Sequence, residues 1–147
     1  MNTSFVNRFR MAALAAALAL CLGPVGAQPR SSQLDDLFRQ FSASKERGQY
    51  HQALMEAEQL LRMAEQSFGP YNPNTAVGLQ AVASALNLLA QHDKALLLQQ
   101  RALAISENAL GPNHPFTALS LNNLAGTYSA LAQHDKALQF QYRALSI

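Results

Sequence analysis

Tryptophan is absent from the sequence, cysteine occurs once among 147 residues, and Asp, Glu, Lys and Arg together make up only 14%. A lone cysteine excludes a fold built on internal disulfides, which need a second thiol. With 49% hydrophobic residues, so little charge also excludes a disordered acidic tail. The balance of 11 Lys and Arg against 9 Asp and Glu excludes a strongly basic nucleic-acid binder. Proline is scarce too, at six residues, but its placement is informative. Pro70 and Pro73 form one pair and Pro112 and Pro115 another, with the same spacing inside each pair.

Residues 1–27 read as a cleavable export signal. Arg8 and Arg10 supply a positive start, Met11 to Leu22 is an almost unbroken Ala/Leu run, and Gly23 and Pro24 break it. Val25, Gly26 and Ala27 then suit the small-residue pocket of a signal peptidase, which places cleavage after Ala27. The apolar run falls short of the roughly 20 residues a permanent bilayer-spanning helix needs. Cys21 follows Leu20 rather than the small residue a lipoprotein signal uses, so it belongs to the run and leaves with it. Residues 28–147 then hold no cysteine and nine charges of each sign. The expected location is periplasmic or secreted, with no stable membrane insertion and no nucleic-acid partner.

What remains is repetitive. Gln91-His92-Asp93-Lys94-Ala95-Leu96 recurs as Gln133-His134-Asp135-Lys136-Ala137-Leu138, and Arg101-Ala102-Leu103 as Arg143-Ala144-Leu145, at an offset of 42. Aligning residues 76–105 with 118–147 gives 16 identities in 30 positions. A weaker earlier copy puts Gln49, Ala53 and Leu54 in the same register.

Inside each copy the apolar spacing is helical. Leu79, Val82, Ala83 and Leu86, and their counterparts Leu121, Leu124, Ala125 and Tyr128, step by three and four. A turn at 90–92 or 132–134 leads to a second stripe: Ala95, Leu98, Ala102 and Ile105, matched by Ala137, Phe140, Ala144 and Ile147. Asp93 and Asp135 then stand at a helix start, where a carboxylate complements the dipole. Gly69 and Gly111 end helices in a left-handed turn, and Pro73 and Pro115 open the next ones, preceded by Asn72 and His114. Six helices follow: 32–47, 51–68, 73–89, 93–110, 115–131, and 135 onward. The fold class is all-α, an α-solenoid of three stacked antiparallel helix pairs (units about 32–68, 73–110 and 115–147), the last one truncated. Such pairs cannot bury their stripes alone, so they share one core in a right-handed superhelix.

The stretch Leu121-Asn122-Asn123-Leu124-Ala125, the Gln133 to Leu138 turn, the Arg143 to Ile147 segment and the Gly111 to Pro115 linker resemble the 42-residue tetratricopeptide repeats (TPR) of kinesin light chain and its bacterial relatives. The resemblance spans roughly 49–147. The first unit departs from it, with Phe38 and Phe41 where small residues are expected, which suits an N-terminal cap.

That resemblance implies a concave groove lined by the first helix of each pair, with Asn side chains bonding the main chain of an extended peptide. The residues it nominates are Asn122 and Asn123, then Gln80, Ser84, Asn87 and Ser129. An amide suits the task because it offers one acceptor and two donors. The carboxylate clamp of chaperone-binding relatives is missing, since Phe38, Ser42, Gln80, Ser84, Asn122 and Gly126 occupy its places.

No catalytic residues, metal ligands or cofactors are expected. His92-Asp93 and His134-Asp135 repeat with the fold, neighbours at a helix start point in different directions, and no third group is spaced to orient them. Equivalent histidines in successive units also stand too far apart for one metal ion. Three readings stay open: a non-catalytic scaffold for a protein or peptide partner, the adaptor region of a longer exported enzyme such as a caspase-like peptidase, and a module that self-associates through an uncapped last helix.

Overall fold

The computed structural model describes residues 28–147, and the export signal and Cys21 expected at 1–27 lie outside them. Among the described residues six helices follow one another: α1 Gln28–Glu46, α2 Tyr50–Phe68, α3 Pro73–Leu88, α4 His92–Leu110, α5 Pro115–Ala130 and α6 His134–Leu145. The described residues contain no strand. Each helix packs on its chain neighbours, and α3 also touches α5, so the molecule is an α-solenoid of three helix pairs. The first helix starts four residues before the expected Ser32, because Pro29 in a first turn costs no intrahelical hydrogen bond. The last runs 12 residues against 19 for α4.

Local chemistry sets the boundaries between pairs. Pro73 and Pro115 hold the first helical positions of α3 and α5, where a missing N–H is no loss. Asn72 Oδ1 accepts from Asn74 N at 2.9 Å, and His114 Nδ1 from Phe116 N at 3.1 Å, each capping an otherwise orphaned donor. Thr75 Oγ1 and Thr117 Oγ1 donate back to the carbonyls of Gly69 and Gly111. These glycines do not take the left-handed helical conformation expected of them. They sit at φ 88°, ψ 167° and φ 99°, ψ 159°, a region open essentially to glycine alone.

Inside each pair the turn is a Schellman motif. Gln91 N donates to Leu86 O and Ala90 N to Asn87 O, and the same bonds recur as Gln133 to Tyr128, Ala132 to Ser129, Gln49 to Ser44 and Gly48 to Lys45. Asp93 and Asp135 lie in the first turns of α4 and α6, while the capping positions belong to Gln91 and Gln133.

Both expected stripes of α3 and α5 are buried, as are the small residues Ala83, Ala95, Ala102, Ala125, Ala137 and Ala144. At Gly78 α3 lies close against α2, since a Cβ there would stand 2.8 Å from Leu61 Cα. The first pair is fully integrated: Phe41 is buried with Leu34 and Leu37 in a cluster that runs through α2 to Val82 and Leu86 of α3. In the third pair Tyr128 stacks on Phe140 with centroids 5.4 Å apart. Ile147, expected on the buried stripe of the last helix, lies beyond the end of α6 and is exposed.

Candidate functional site

The two rows of helices are joined by side chains of different reach. Between α3 and α5, Asn87 Nδ2 donates to Thr127 Oγ1 at 2.7 Å, Gln80 Nε2 donates to Ser120 Oγ, and Asn123 Nδ2 donates to Gln80 Oε1. Between the even-numbered helices the links are ion pairs. Arg101 of α4 reaches Glu65 of α2 at 2.9 Å, and Arg143 of α6 pairs with Glu107 of α4. Short amide and hydroxyl links thus join one row, where α3 and α5 touch, and longer guanidinium-to-carboxylate spans join the other. In a solenoid of stacked helix pairs the first helices, here α1, α3 and α5, line one side of the stack, its inner side.

On that inner side Asn122, Gly126 and Ser129 form one stripe of α5, four and three residues apart, and all three are exposed. Their counterparts one repeat earlier are Gln80, Ser84 and Asn87, and on α1 they are Phe38, Ser42 and Lys45. The amide of Asn122 and the hydroxyl of Ser129 have no partner among the described residues, and neither does half-buried Ser84. A Cβ built on Gly126 meets nothing within 4 Å, so a ligand backbone has room to approach α5 between Asn122 and Ser129. None of the six nominated residues carries charge. Lys45 of α1 is the charged residue of the same stripe.

The remaining nominated residues face the seam between units. Gln80 is 7% exposed, with both ends of its amide engaged. Asn87 donates to Thr127, and its Oδ1 accepts from His92 Nδ1 at 2.9 Å. Asn123 is half-buried; its Nδ2 is taken by Gln80, and its Oδ1 has no partner among the described residues. The structure thus brings Asn122 and Ser129 to the open face, keeps Ser84 half-open, and makes Gln80 and Asn87 links between repeats.

Ser120 and Thr127 are the partners that sequence reasoning did not single out. A signal was present for the outer row, because Glu65 and Arg101 recur as Glu107 and Arg143 at the same offset of 42. His92 packs in its turn against Asn87, whereas His134 is exposed, Ser129 standing where Asn87 stands one repeat earlier. Among the described residues no group of three or more His, Cys, Asp or Glu could hold a metal ion, and no helix is long and apolar enough to cross a membrane.

Comparison with known proteins agrees with this architecture. The family model for the tetratricopeptide repeat matches residues 43–108 and, again, 81–147. Among solved structures, a kinesin light chain-like protein of Podospora anserina with nearly identical TPR-like repeats superposes with a TM-score of 0.73 at 22% identity. That match covers 79% of this chain, which spans 55% of the Podospora chain. The TPR domain of Arabidopsis FLU superposes with a TM-score of 0.68 at 16% identity, over 80% of this chain and 96% of that one. No curated protein sequence matches significantly. With two overlapping family matches that together cover more than half of its residues, the chain belongs to the tetratricopeptide repeat family.

Proposed function

We propose that residues 28–147 bind an extended segment of a protein partner along the inner face of α1, α3 and α5, without chemistry of their own, after export to the periplasm or the exterior. TPR domains in general mediate protein–protein interaction, and TPR proteins are typically non-catalytic scaffolds. The observation that carries the finer reading is Asn122: an exposed amide with no internal partner, beside the open space at Gly126. An amide so placed pairs with both the N–H and the C=O of one residue of an extended segment, and a main-chain contact of this kind tolerates many side chains.

The test is selection of peptides from a random displayed library on the purified chain, followed by titration of a selected peptide against wild type and Asn122→Ala. Losing two hydrogen bonds to the ligand weakens binding by about tenfold or more. Equal affinity for the two proteins overturns the assignment of the face. Export is tested separately, by the mass of the protein recovered from a bacterial periplasm, which begins at Gln28 if the signal is cut after Ala27.

A second reading, association with another copy through α6, is favoured by one observation. Leu138, Tyr142 and Leu145 are all exposed, Tyr142 at 69% and Leu145 at 82%, and they form a single stripe on that helix.

A further inference from the structure

The first unit departs from the repeat at one inner-face position. Gln80 of α3 crosses to α5, where it meets Ser120 and Asn123. One repeat earlier the residue at that position is Phe38, and the places of Ser120 and Asn123 are held on α3 by Gly78 and Ala81. A seam of amides and a hydroxyl is thus replaced by a ring beside two small residues. Phe38 is the one described residue of α1 that packs against both the cluster holding Ala81 and the cluster holding Val77, and its ring lies near that of Phe41, with centroids 6.0 Å apart. The ring is nevertheless only half-buried, while Ala81 and Val77 are 4% and 6% exposed. It belongs to the stripe that continues as Ser42 and Lys45 on α1, and Asn122 holds the same repeat position on α5.

We propose that Phe38 is the specificity-determining residue of the inner face: it takes one apolar side chain of the bound segment at α1, while α5 takes that segment's main chain. The inference rests on the peptide-binding reading above and deepens it. A ring already held by its neighbours loses little freedom when a ligand covers it, and the apolar area on both sides leaves water. Helix packing sets the register. Packed helices stand about 10 Å apart, so α1 and α5, two steps apart along the stack, offer their inner faces about 20 Å apart. An extended chain advances about 3.4 Å per residue, which puts the apolar side chain about six residues from the residue that faces Asn122. Leu88, 41% exposed and four residues past Ser84, lies on α3, one step from α5. A contact there falls about three residues from the same point, so register separates the two.

The experiment uses the whole purified chain and, as probe, the peptide selected on wild type. N-methylation of each ligand amide in turn marks the residue that faces Asn122, as the position whose penalty disappears in Asn122→Ala. Alanine at each ligand side chain in turn then finds the apolar contact. One apolar residue, about six from the marked one, is expected to weaken binding to wild type by about tenfold when truncated. Phe38→Gln installs the residue that the next repeat carries, and there the truncation penalty falls below about threefold while the N-methyl penalty stays. Phe38→Leu, which keeps an apolar side chain, restores most of the sensitivity. Helical circular dichroism verifies folding of each variant. Should Phe38→Gln not fold, nuclear Overhauser contacts between the Phe38 ring and that ligand side chain, measured on wild type, give the answer, and their absence overturns the inference. Full sensitivity retained in folded Phe38→Gln overturns it, as does tighter binding of the peptide by that variant, which makes the ring an obstacle. A sensitive residue about three from the marked one, silenced by Leu88→Ala instead, overturns it too and leaves the face standing. Normal binding by Asn122→Ala removes the face itself, and the inference with it.

Discussion

Ala90 and Ala132 adopt the same left-handed backbone conformation, each with φ 57°, at the same point of successive helix pairs. The first pair has Gly48 there, at φ 75°. An L-residue in this conformation brings Cβ against its own carbonyl at a cost of about 1–2 kcal/mol, and glycine escapes that cost while losing more entropy on folding. Both alanines are exposed, so nothing is lost in packing. Ala90→Gly and Ala132→Gly are each expected to stabilise the chain by about 0.5–1 kcal/mol, and Gly48→Ala to destabilise it by a similar amount. Thermal unfolding followed by circular dichroism measures this, and a lower midpoint for either glycine variant contradicts it.

Two other glycines fail on substitution for different reasons. At Gly111 an added Cβ meets nothing, but φ 99° with ψ 159° is closed to alanine, so Gly111→Ala costs about 1–3 kcal/mol through the backbone alone. Gly78 has ordinary helical geometry, and an added Cβ there collides with Leu61 Cα. Gly78→Ala is expected to cost about 1–3 kcal/mol by overpacking. Because the obstacle is main chain, shrinking the neighbour in Gly78→Ala/Leu61→Ala brings no recovery. Denaturant titration of the double variant decides it, since a stability above that of Gly78→Ala would place the conflict in the side chain instead.

Much of the fold was legible because its signals are local. A proline at the first helical position, an Asn or His before it and a glycine at the preceding helix end each act within a few residues; Asn72, Pro73, His114 and Pro115 all serve as their chemistry dictates, while Gly111 ends α4 with a positive φ but not in the left-handed helical conformation expected. The left-handed alanines were hidden for the opposite reason, since alanine where glycine is preferred carries no mark of its conformation. The site was legible only in part. Asn122 and Gln80 occupy the same repeat position, yet one is open and the other sealed. The difference lies in partners 40 and 43 residues away from Gln80, on a helix brought near by packing of the pairs between them. Sequence spacing locates a stripe on a helix; it does not say which residues of that stripe a neighbouring helix will claim.

The outer row of ion pairs invites a stability claim that the exposure of its members does not support. Glu65, Arg101, Glu107 and Arg143 keep between 30% and 43% of their side-chain surface in water. Pairs of this kind contribute below about 1 kcal/mol, and at 1 M salt a Debye length of about 3 Å screens most of that. Double-mutant cycles on Glu65→Gln/Arg101→Gln and Glu107→Gln/Arg143→Gln should give coupling energies of about 0.5 kcal/mol or less in low salt, fading at high salt. A coupling above about 2 kcal/mol would mean that the outer row, rather than the buried seam, sets the spacing of the units.

On α6, Leu138, Tyr142 and Leu145 repeat the positions of Leu96, Gln100 and Leu103 on α4. There Leu103 is buried in the cluster that contains Leu121 and Leu124 of α5, Leu96 packs against the same cluster, and Gln100 Nε2 reaches Tyr128 OH at 3.2 Å. The stripe on α6 thus has the composition of a covered surface, while its residues support nothing inside the unit. Replacing Tyr142 and Leu145 together by Gln is expected to leave stability within about 0.5 kcal/mol, the usual range for surface positions. If the second reading holds, the same change abolishes concentration-dependent association of the wild-type chain, because apolar contact is what the stripe offers a second copy. Sedimentation velocity over a range of concentrations, run on both proteins, is the measurement. A wild-type chain that stays monomeric throughout, or a double variant that associates as wild type does, removes α6 as a self-association surface.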